Sequence, residues 1–447
     1  MYAAMVTTDT DVIVIGAGAA GLAAARNLAG QSLRATLLEA RDRTGGRVWP
    51  ASTARDAVSV ELGAEFIHGP AEETMGLLRE IGAGAISTAD ESWTCRANGD
   101  LLRDDDEMPP SRNVFERAFA LPSDESVDRF LRRFENDESM RDTVARARAF
   151  VEGFDAADPA IASARAIAQE LHSGVDSASA RPLGGYRPMF EHLRDACVAA
   201  GVDLRLSTRV RRISWRRGAV TVDAQSGREQ SQTIRARAAI VTLPVGVLRH
   251  SGDGDEVAFE PGLPASKRQA LADIEMGDAV RVTLWFRTAF WEEICDGRYR
   301  EGAFFRCNGQ AFAAYWTQLP VRARSIVAWA GGPKATALRA ASHEELVGRA
   351  LDGFGALFGE PELARREFEG GIMHDWRSDP FARGAYSYVL VGDRDARATL
   401  GAPIDDALFF AGEATSHDGQ GGTVNGALRT GERAAHEAAV ALGAAKR

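Results

Sequence analysis

Short apolar runs and glycine-rich turns alternate at the start of the chain. The stretch DVIVIGAGAAGLAAARNLAGQSLRATLLEA sets out an apolar run, a glycine turn, a run of small helix-forming residues and a second apolar run. This order predicts a strand, a helix and a second strand, which is the βαβ unit of a parallel sheet. A Rossmann-like domain is therefore expected in this part of the sequence.

The pattern then becomes helical. From about residue 72 to residue 194 the sequence is heavily charged, and Val127, Phe130, Leu131 and Phe134 recur at helical spacing. We expect an inserted helical region here.

Strand-like runs follow the helical region. Residues 201–244 contain short alternating runs with turns at Arg217–Gly218 and Ser226–Gly227, which predict hairpin strands with a solvated, arginine-rich outer face. Helices and aromatic strands are expected between residues 261 and 329, and a helix from about residue 343 to residue 358. The last segment indicates a strand, a glycine-rich loop and a helix.

One of the predicted strands carries an arginine. In IEMGDAVRVTLWF, a turn at Gly277–Asp278 precedes a run whose alternate residues from Val280 to Phe286 share one apolar face. Arg281 falls on the opposite face, among small and aromatic neighbours. A guanidinium in this position either reaches solvent along its aliphatic stem or is held at a polar site. The periodicity leaves both possibilities open.

Composition narrows the classes of function. The 447 residues are 45% hydrophobic and 26% charged, which is typical of a soluble globular protein of two or three domains. The net charge of −10 argues against nucleic acid as the main partner. Cys95, Cys197, Cys295 and Cys307 are scattered and predict reduced thiols. No targeting segment or membrane span is indicated, so a cytoplasmic protein with no membrane partner is expected.

The strongest chemical motif is the glycine turn. Gly16, Gly18 and Gly21 follow a predicted strand and open a predicted helix, the context in which such glycines admit a dinucleotide pyrophosphate to the helix N-terminus. Glu39 ends the second strand, where a carboxylate accepts hydrogen bonds from ribose hydroxyls. A dinucleotide site is therefore predicted. Histidine pairs with metal-ligand spacing and the GxSxG sequence are both absent, so neither a metal site nor a simple serine hydrolase is expected.

The residues after Glu39 carry a family resemblance. EARDRTGGRV resembles the FAD-binding signature of the flavin amine oxidases, a group that includes monoamine oxidases, polyamine oxidases and lysine-specific histone demethylases. ELGAEFIHG at 61–69 and WRSDPFARGAYSYVLVG at 376–392 resemble segments of the polyamine oxidase and demethylase branch. FFAGEATSHDGQGGTVNGALRTGERAA at 409–435 resembles the motif that closes the flavin site. The resemblance thus covers the two ends and the middle of the chain.

The resemblance implies two sets of FAD contacts. Those for the ADP half are Gly16, Gly18, Ala19, Ala20, Gly21, Glu39, Ala40, Arg41, Gly45, Gly46, Arg47 and Val210. Those for the ring system and the ribityl and pyrophosphate oxygens are Gly63, Ala64, Glu65, Trp376, Gly412, Glu413, Thr423 and Val424. A helix beginning near Gly426, just after Val424, would direct its positive end at the flavin. Because the GAYSY segment lacks the cysteine to which monoamine oxidases attach flavin, we expect non-covalent FAD.

The resemblance also implies the residues on the substrate side, which are Phe66, His68, Arg281, Tyr386 and Thr423. Tyr386 would form one wall in front of the flavin, while the facing position is Thr423, which leaves room for secondary or bulkier amines. His68 has a second interpretation as an ordinary hydrogen-bonded loop histidine. Family members typically carry lysine where this chain has Arg281. Because arginine does not deprotonate and is larger, we expect slower reaction with oxygen.

The implied function is FAD-dependent oxidation of a primary or secondary amine, either polyamine-like or arylalkyl. A hydride would pass from the amine α-carbon to flavin N5, water would hydrolyse the imine to an aldehyde, and oxygen would reoxidise the flavin to give hydrogen peroxide. One alternative is a dehydrogenase or desaturase with another acceptor. Another is a flavoprotein whose catalysis is weakened because Arg281 replaces the lysine. The sequence does not indicate an oligomeric state.

The expected fold class is α/β, with a Rossmann-like FAD-binding domain and an interleaved α+β substrate-binding domain, the two-domain architecture of amine oxidases. The predicted FAD-binding segments are residues 1–75, 195–250 and 376–447. The predicted substrate-binding segments are residues 76–194, which include the helical insertion, and 251–375.

Overall fold

A five-stranded parallel sheet contains the strands of the predicted βαβ unit. The computed structural model describes residues 8–51, 58–96, 99–104, 114–227, 230–392 and 395–445. Across the sheet, the strands follow the order Leu408–Phe410, Ala238–Val241, Val12–Ile15, Ala35–Leu38 and Asp203–Arg205. All neighbouring pairs are parallel. The helix Ala19–Gly30 joins the first two strands in sequence, so the predicted βαβ unit is confirmed.

This sheet is covered on both faces, which explains why its strands are continuous apolar runs. One face packs against the helices Ala19–Gly30 and Val424–Ala441. Gly431 permits their close contact, because a Cβ there would lie 2.1 Å from the carbonyl oxygen of Ala20. The other face packs against a four-stranded sheet. Its strands are Gln230–Ala236, Ala219–Ser226, Thr208–Arg216 and Ala258–Glu260.

A seven-stranded mixed sheet forms the second half of the molecule. In order across the sheet, its strands are Phe368–Met373, Ala279–Phe286, Ser325–Gly331, Ala314–Trp316, Phe304–Arg306, Ser92–Cys95 and Leu101–Arg103. Val282, Leu284 and Phe286 lie in one apolar core with residues of the helix His343–Leu357. The predicted apolar face of this strand is confirmed, and Arg281 is left on the opposite side.

The helical insertion is confirmed only in part. The helices Val127–Leu131, Arg141–Gly153 and Ala164–His172 share a core that contains the predicted residues Val127, Phe130 and Leu131. The same region also contains strands that the sequence did not indicate. They are Ala85–Ser87, Ser92–Cys95, Leu101–Arg103 and Ser179–Pro182. Runs of three or four residues are too short to display a period, and only pairing with distant strands makes them extended.

Smaller elements connect the two halves. Ile274–Met276 pairs with Ser387–Val389, and Ser179–Pro182 lies between Ile67–His68 and Ala85–Ser87. The remaining α-helices with regular geometry are Glu72–Glu80, Arg187–Ala199, Val245–Leu248, Ala265–Ala272, Pro333–Ala337, Pro361–Glu367 and Ala396–Gly401. Within the described ranges, none of the helices combines the length and apolar character needed to cross a bilayer. The domain boundaries stay a prediction.

Candidate functional site

The glycine turn leaves open space in front of a helix N-terminus. Gly16 has φ +102°, and a Cβ on Gly21 would lie 1.7 Å from the carbonyl oxygen of Gly16, so both positions require glycine. Gly18 differs, because the nearest atoms to an added Cβ belong to Gly45 and Gly46 at 4.0 Å. The turn therefore forms a cradle into which a Cβ on Gly18 would project, at the end of a helix that favours negative charge.

Glu39 lies beside this cradle. Its carboxylate accepts hydrogen bonds from the backbone N–H of Ala17 at 2.7 Å and of Arg41 at 2.9 Å. Burial raises the pKa of Glu39, although these two bonds oppose the shift. The backbone N–H of Thr208 donates to the Glu39 carbonyl and brings the strand that contains Val210 to the same place. A carboxylate has about four lone-pair sites, so acceptor capacity remains for a ligand hydroxyl.

Arg41 already has a protein partner. Its guanidinium makes two hydrogen bonds to the Asp379 carboxylate, at 2.9 and 2.8 Å, and lies 5.9 Å from the ring centroid of Trp376. The Trp376 indole donates to the carbonyl of Leu62 at 2.8 Å. A Cβ on Gly63 would lie 3.0 Å from the Trp376 ring. Arg41 therefore fixes the segment that carries Trp376, a contact that the motif did not reveal.

The buried carboxylate of Glu413 joins three separate segments of the chain. Glu413 accepts from Arg47 at 2.8 Å, from the Ser387 hydroxyl at 2.6 Å and from the backbone N–H of Gly422 at 3.1 Å. Burial alone would raise the pKa of Glu413, but Arg47 and Arg397 hold it below its ordinary value. Glu413 therefore stays ionised near neutral pH and holds these three segments together.

A small cavity lies beside this network at the carboxyl ends of the neighbouring strands Ala238–Val241 and Leu408–Phe410. Arg47, Leu243, Leu248 and Leu400 contribute to its lining, together with residues 410–415. Gly412 lies at its edge with φ +121°, and among the described residues only the carbonyl oxygen of Thr242 approaches an added Cβ there, at 3.8 Å. In open α/β sheets ligands bind outside the carboxyl ends of the strands, which is where this cavity lies.

The last helix begins earlier than predicted. It spans Val424–Ala441 and so starts two residues before the predicted position near Gly426. Thr423 is its N-cap, because the hydroxyl accepts from the backbone N–H of Gly426 at 2.9 Å and donates to the carbonyl of Gln420 at 2.9 Å. The capping bond draws the first turn to Thr423. The Thr423 hydroxyl is therefore engaged in capping the helix, and its place on the substrate side stays a prediction.

Aromatic rings gather next to the segment 61–68. The Phe66 ring lies 5.5 Å from Trp316 and 5.7 Å from His68, and His68 makes an edge contact with Phe154 at 4.9 Å. The Tyr386 hydroxyl donates to the carbonyl of Phe154 at 2.5 Å. We call Phe66, His68, Phe154, Trp316 and Tyr386 the aromatic cluster. It unites three of the five predicted substrate-side residues.

The ionisable members of the aromatic cluster are uncharged near neutral pH. Burial lowers the pKa of His68 to about 4, and His68 Nδ1 lies 3.2 Å from the hydroxyl of Ser179. Burial also raises the pKa of Tyr386 well above its ordinary value. His68 thus retains the hydrogen bond expected of an ordinary loop histidine while it packs among the aromatic rings.

Arg281 does not reach solvent. Its side chain is 7% exposed and forms an ion pair with Glu65, which is itself buried. Arg181 donates to the same carboxylate at 2.6 Å, and the indole of Trp316 donates to it at 3.2 Å. Burial alone would raise the pKa of Glu65, but Arg181 and Arg281 hold it below its ordinary value. We call Glu65, Arg181 and Arg281 the charge triad.

Sequence motifs predicted the cradle and the segment 61–68, but they did not predict the residues that face this segment. The cradle and the segment 61–68 lie in motifs, but Arg181, Phe154 and Trp316 lie in stretches with no motif. Arg281 and Trp316 lie on two strands that both pair with the strand Ser325–Gly331. This pairing brings the two side chains to Glu65. No group of three or more His, Cys, Asp or Glu side chains gathers at metal-binding distance in the part of the chain that the structure describes.

Comparison with known proteins decides the family. Residues 19–85 and 98–439 match the family described as flavin containing amine oxidoreductase. The match covers well over half of the chain. The chain belongs to this family. It is therefore an oxidoreductase that acts on amines, and the prediction of FAD as cofactor is confirmed.

Relatives of this flavin amine oxidoreductase include polyamine oxidases and lysine-specific histone demethylase homologs. Polyamine oxidase 4 of Oryza sativa subsp. japonica is 30% identical over 464 residues, which cover 95% of this chain and 88% of that protein. Lysine-specific histone demethylase 1 homolog 3 of Arabidopsis thaliana is 28% identical over 502 residues. That alignment covers 96% of this chain but only 30% of the demethylase homolog, so the chain spans less than a third of it.

Solved structures share the fold of this flavin amine oxidoreductase. Putrescine oxidase bound to putrescine superposes with a TM-score of 0.79 at 23% identity, over 95% of this chain and 98% of that one. Cyclohexylamine oxidase from Brevibacterium oxydans IH-35A gives a TM-score of 0.78 at 24% identity, over 97% and 99% of the two chains. The predicted α/β fold class is confirmed.

Proposed function

We propose that this protein is an oxidase of primary or secondary amines that uses non-covalently bound FAD and oxygen. One observation carries the proposal, namely that a single short segment joins the cradle side to the aromatic cluster. A Cβ on Gly63 would lie 1.8 Å from the carbonyl oxygen of Arg47, so this glycine is packed against the cradle side. Three and five residues later, Phe66 and His68 stand in the aromatic cluster.

The residues around the cradle fit a flavin dinucleotide. Gly18 and Gly412 leave space where a side chain would otherwise project, and the helix N-terminus at Ala19 favours phosphate. Glu39 and Val210 would hold the adenosine end, while Gly63, Ala64 and Trp376 would lie along the ring system. The other residues that the family resemblance implies as FAD contacts are assigned to the cofactor as part of this proposal. No cysteine occurs in the segment 376–392, in agreement with non-covalent binding.

FAD held by these residues would supply the electron chemistry, namely acceptance of a hydride from the α-carbon of the amine and transfer of two electrons to oxygen. The chain supplies orientation and a dry environment. Phe66, Trp316 and Tyr386 present apolar rings that exclude water and leave the amine in its neutral form. Because His68 is uncharged near pH 7, it does not repel an incoming amine.

Arg281 is proposed to act at the flavin edge as a fixed positive charge. Glu65 holds its guanidinium from one side, and arginine does not release its proton near neutral pH. It therefore cannot shuttle protons as a lysine can, so we expect reoxidation by oxygen to be slower than with lysine at this position. This property also favours the second candidate, a dehydrogenase that passes electrons to another acceptor.

Anaerobic mixing of the holoenzyme with monoamines, diamines, polyamines and amino acids tests the proposal. Bleaching of the flavin absorbance by one class of amine, followed by stoichiometric hydrogen peroxide on admission of oxygen, is the expected result. Bleaching without peroxide would favour the dehydrogenase. A flavin that stays oxidised with every amine would contradict both functions.

Arg281→Lys should accelerate reoxidation, and an unchanged rate of both half-reactions would remove Arg281 from the flavin edge.

A further inference from the structure

The charge triad has an excess of positive charge in a buried, aromatic environment. It contains two guanidiniums and one carboxylate, and each of the three residues is less than 10% exposed. The rings of Phe66 and Trp316 adjoin it, with Arg181 4.6 Å from the centroid of Phe66. Such surroundings screen charge poorly, so an anion near the triad would be strongly attracted.

The two arginines differ in how well their donors are satisfied. Arg181 donates through Nε to Glu65, through Nη1 to the carbonyl of Leu319 and through Nη2 to the carbonyl of Thr317. Arg281 donates through Nη2 to Glu65, while its buried Nε and Nη1 have no hydrogen-bond partner among the described residues. A buried donor without an acceptor is costly, especially on a charged group. Arg281 is therefore the member whose buried donors remain unsatisfied.

A second carboxyl near Arg281 does not cancel this charge at mildly acidic pH. Glu61 interacts electrostatically with Arg281, and burial raises its pKa to about 7. Its Oε1 accepts from the backbone N–H of Tyr186 at 3.0 Å. Below neutrality Glu61 is mostly protonated, and the triad keeps its excess positive charge.

We infer that Arg281, held by Glu65 and flanked by Arg181, is a subsite for a carboxylate carried by the amine substrate. The inference rests on the proposed function and narrows its substrate class to amines that also bear a carboxylate. A carboxylate supplies acceptors for the free donors of Arg281 and offsets the charge of the triad. A diamine supplies neither, since its second ammonium adds positive charge and has no acceptor.

Titration of the oxidised holoenzyme at pH 6 with benzoate and with benzamide tests this subsite without turnover. These probes have the same ring and differ in charge, and flavin absorbance reports their binding. Benzoate should bind at least tenfold more tightly than benzamide. Arg281→Met should reduce benzoate affinity at least tenfold and leave benzamide unaffected. Arg212→Met is the matched control, because it removes an equally charged side chain from an exposed pair with Glu260. Equal affinities of the two probes would overturn the inference. Water or the flavin would then be the acceptor for the unsatisfied donors of Arg281.

Flavin reduction provides a second test that needs no variant. The holoenzyme is mixed anaerobically with two matched pairs, phenylalanine against 2-phenylethylamine and 4-aminobutanoate against butylamine. In at least one pair the member with the carboxylate should reduce the flavin tenfold faster. Faster reduction by the carboxylate-free member of both pairs would overturn the subsite while supporting the amine oxidase. Absence of reduction by every amine would instead remove the proposed function, whereas the benzoate titration would still report on the subsite.

Discussion

The guanidinium of Arg281 is paired with the carboxylate of Glu65, which lies 216 residues earlier in the chain. Arg281 belongs to the seven-stranded sheet, and Glu65 belongs to the segment that leaves the cradle. This ion pair therefore ties the seven-stranded sheet to the segment that leaves the cradle, beside the aromatic cluster. The positive charge at that place is permanent, because arginine keeps its proton where a buried lysine can lose it.

Glu65→Gln should strongly destabilise the fold. The variant leaves two buried guanidiniums without a carboxylate, and loss of one partner of a buried pair costs about 3–5 kcal/mol. Denaturant unfolding measures the loss. Glu260→Gln is the control, since its pair with Arg212 is exposed, and the expected loss is below about 1 kcal/mol. Equal losses in both variants would contradict a structural role of the triad.

Glu61→Gln should flatten the dependence of stability on pH. The pKa of Glu61 in the folded protein is raised by burial from 4.5 to about 7. The folded state thus holds this proton more tightly than the unfolded state, and stability contributed by protonated Glu61 is lost as pH rises from about 4.5 through 7. The loss amounts to about 3 kcal/mol at most. Thermal unfolding from pH 5 to pH 8 measures it, and parallel curves for the variant and the wild type would count against this shift.

Gly18→Ala should fold normally and lose flavin. Gly18 has φ −78°, which alanine adopts without strain, and no atom of the described residues lies closer than 4.0 Å to an added Cβ. The methyl group would instead occupy the space assigned to the cofactor, so FAD affinity should fall at least tenfold. The ratio of flavin to protein after purification measures this. Gly30→Ala, with nothing within 4 Å of its Cβ, should keep wild-type flavin content. Full flavin content in Gly18→Ala would refute the cradle.

Lys267→Met should destabilise the protein by about 2–4 kcal/mol. The buried ammonium donates to the carbonyls of Thr399, Leu400 and Ala402 at the end of the helix Ala396–Gly401. Methionine fills the space but leaves those carbonyls without this donor. Urea unfolding gives the change in free energy. Lys334→Met, at a pair with Glu152 that is less buried, should cost less. A similar cost at both lysines would argue against the capping role.

His68→Asn should leave the pH profile of flavin reduction unchanged between pH 6 and pH 9. Burial lowers the pKa of His68 to about 4, so its imidazole does not titrate in this range. The rate itself should fall, because the ring contacts with Phe66 and Phe154 are lost. Stopped-flow reduction across the range measures both quantities. Disappearance of an ionisation near pH 6.5 in the variant would show that His68 titrates after all.

The parts predicted best from sequence are those whose interactions are local. The strand Val12–Ile15, the glycine turn and Glu39 lie within 30 residues of one another, and their spacing alone places Glu39 beside the turn. The start of the last helix was missed by two residues. The local sequence contains several glycines at which the helix could have started. The hydrogen bond from the Gly426 N–H to the Thr423 hydroxyl sets the start of the helix.

The sequence by itself determined the βαβ unit, the family and the face of the strand on which Arg281 lies. These features depend on short-range periodicity and motif spacing. It could not determine whether Arg281 is solvated or held. That outcome depends on Glu65 and Arg181, which approach it only when strands from three separate parts of the chain pair and pack. Only the tertiary structure decided that two buried guanidiniums share one carboxylate, because desolvation and charge pairing act between residues that the sequence keeps far apart.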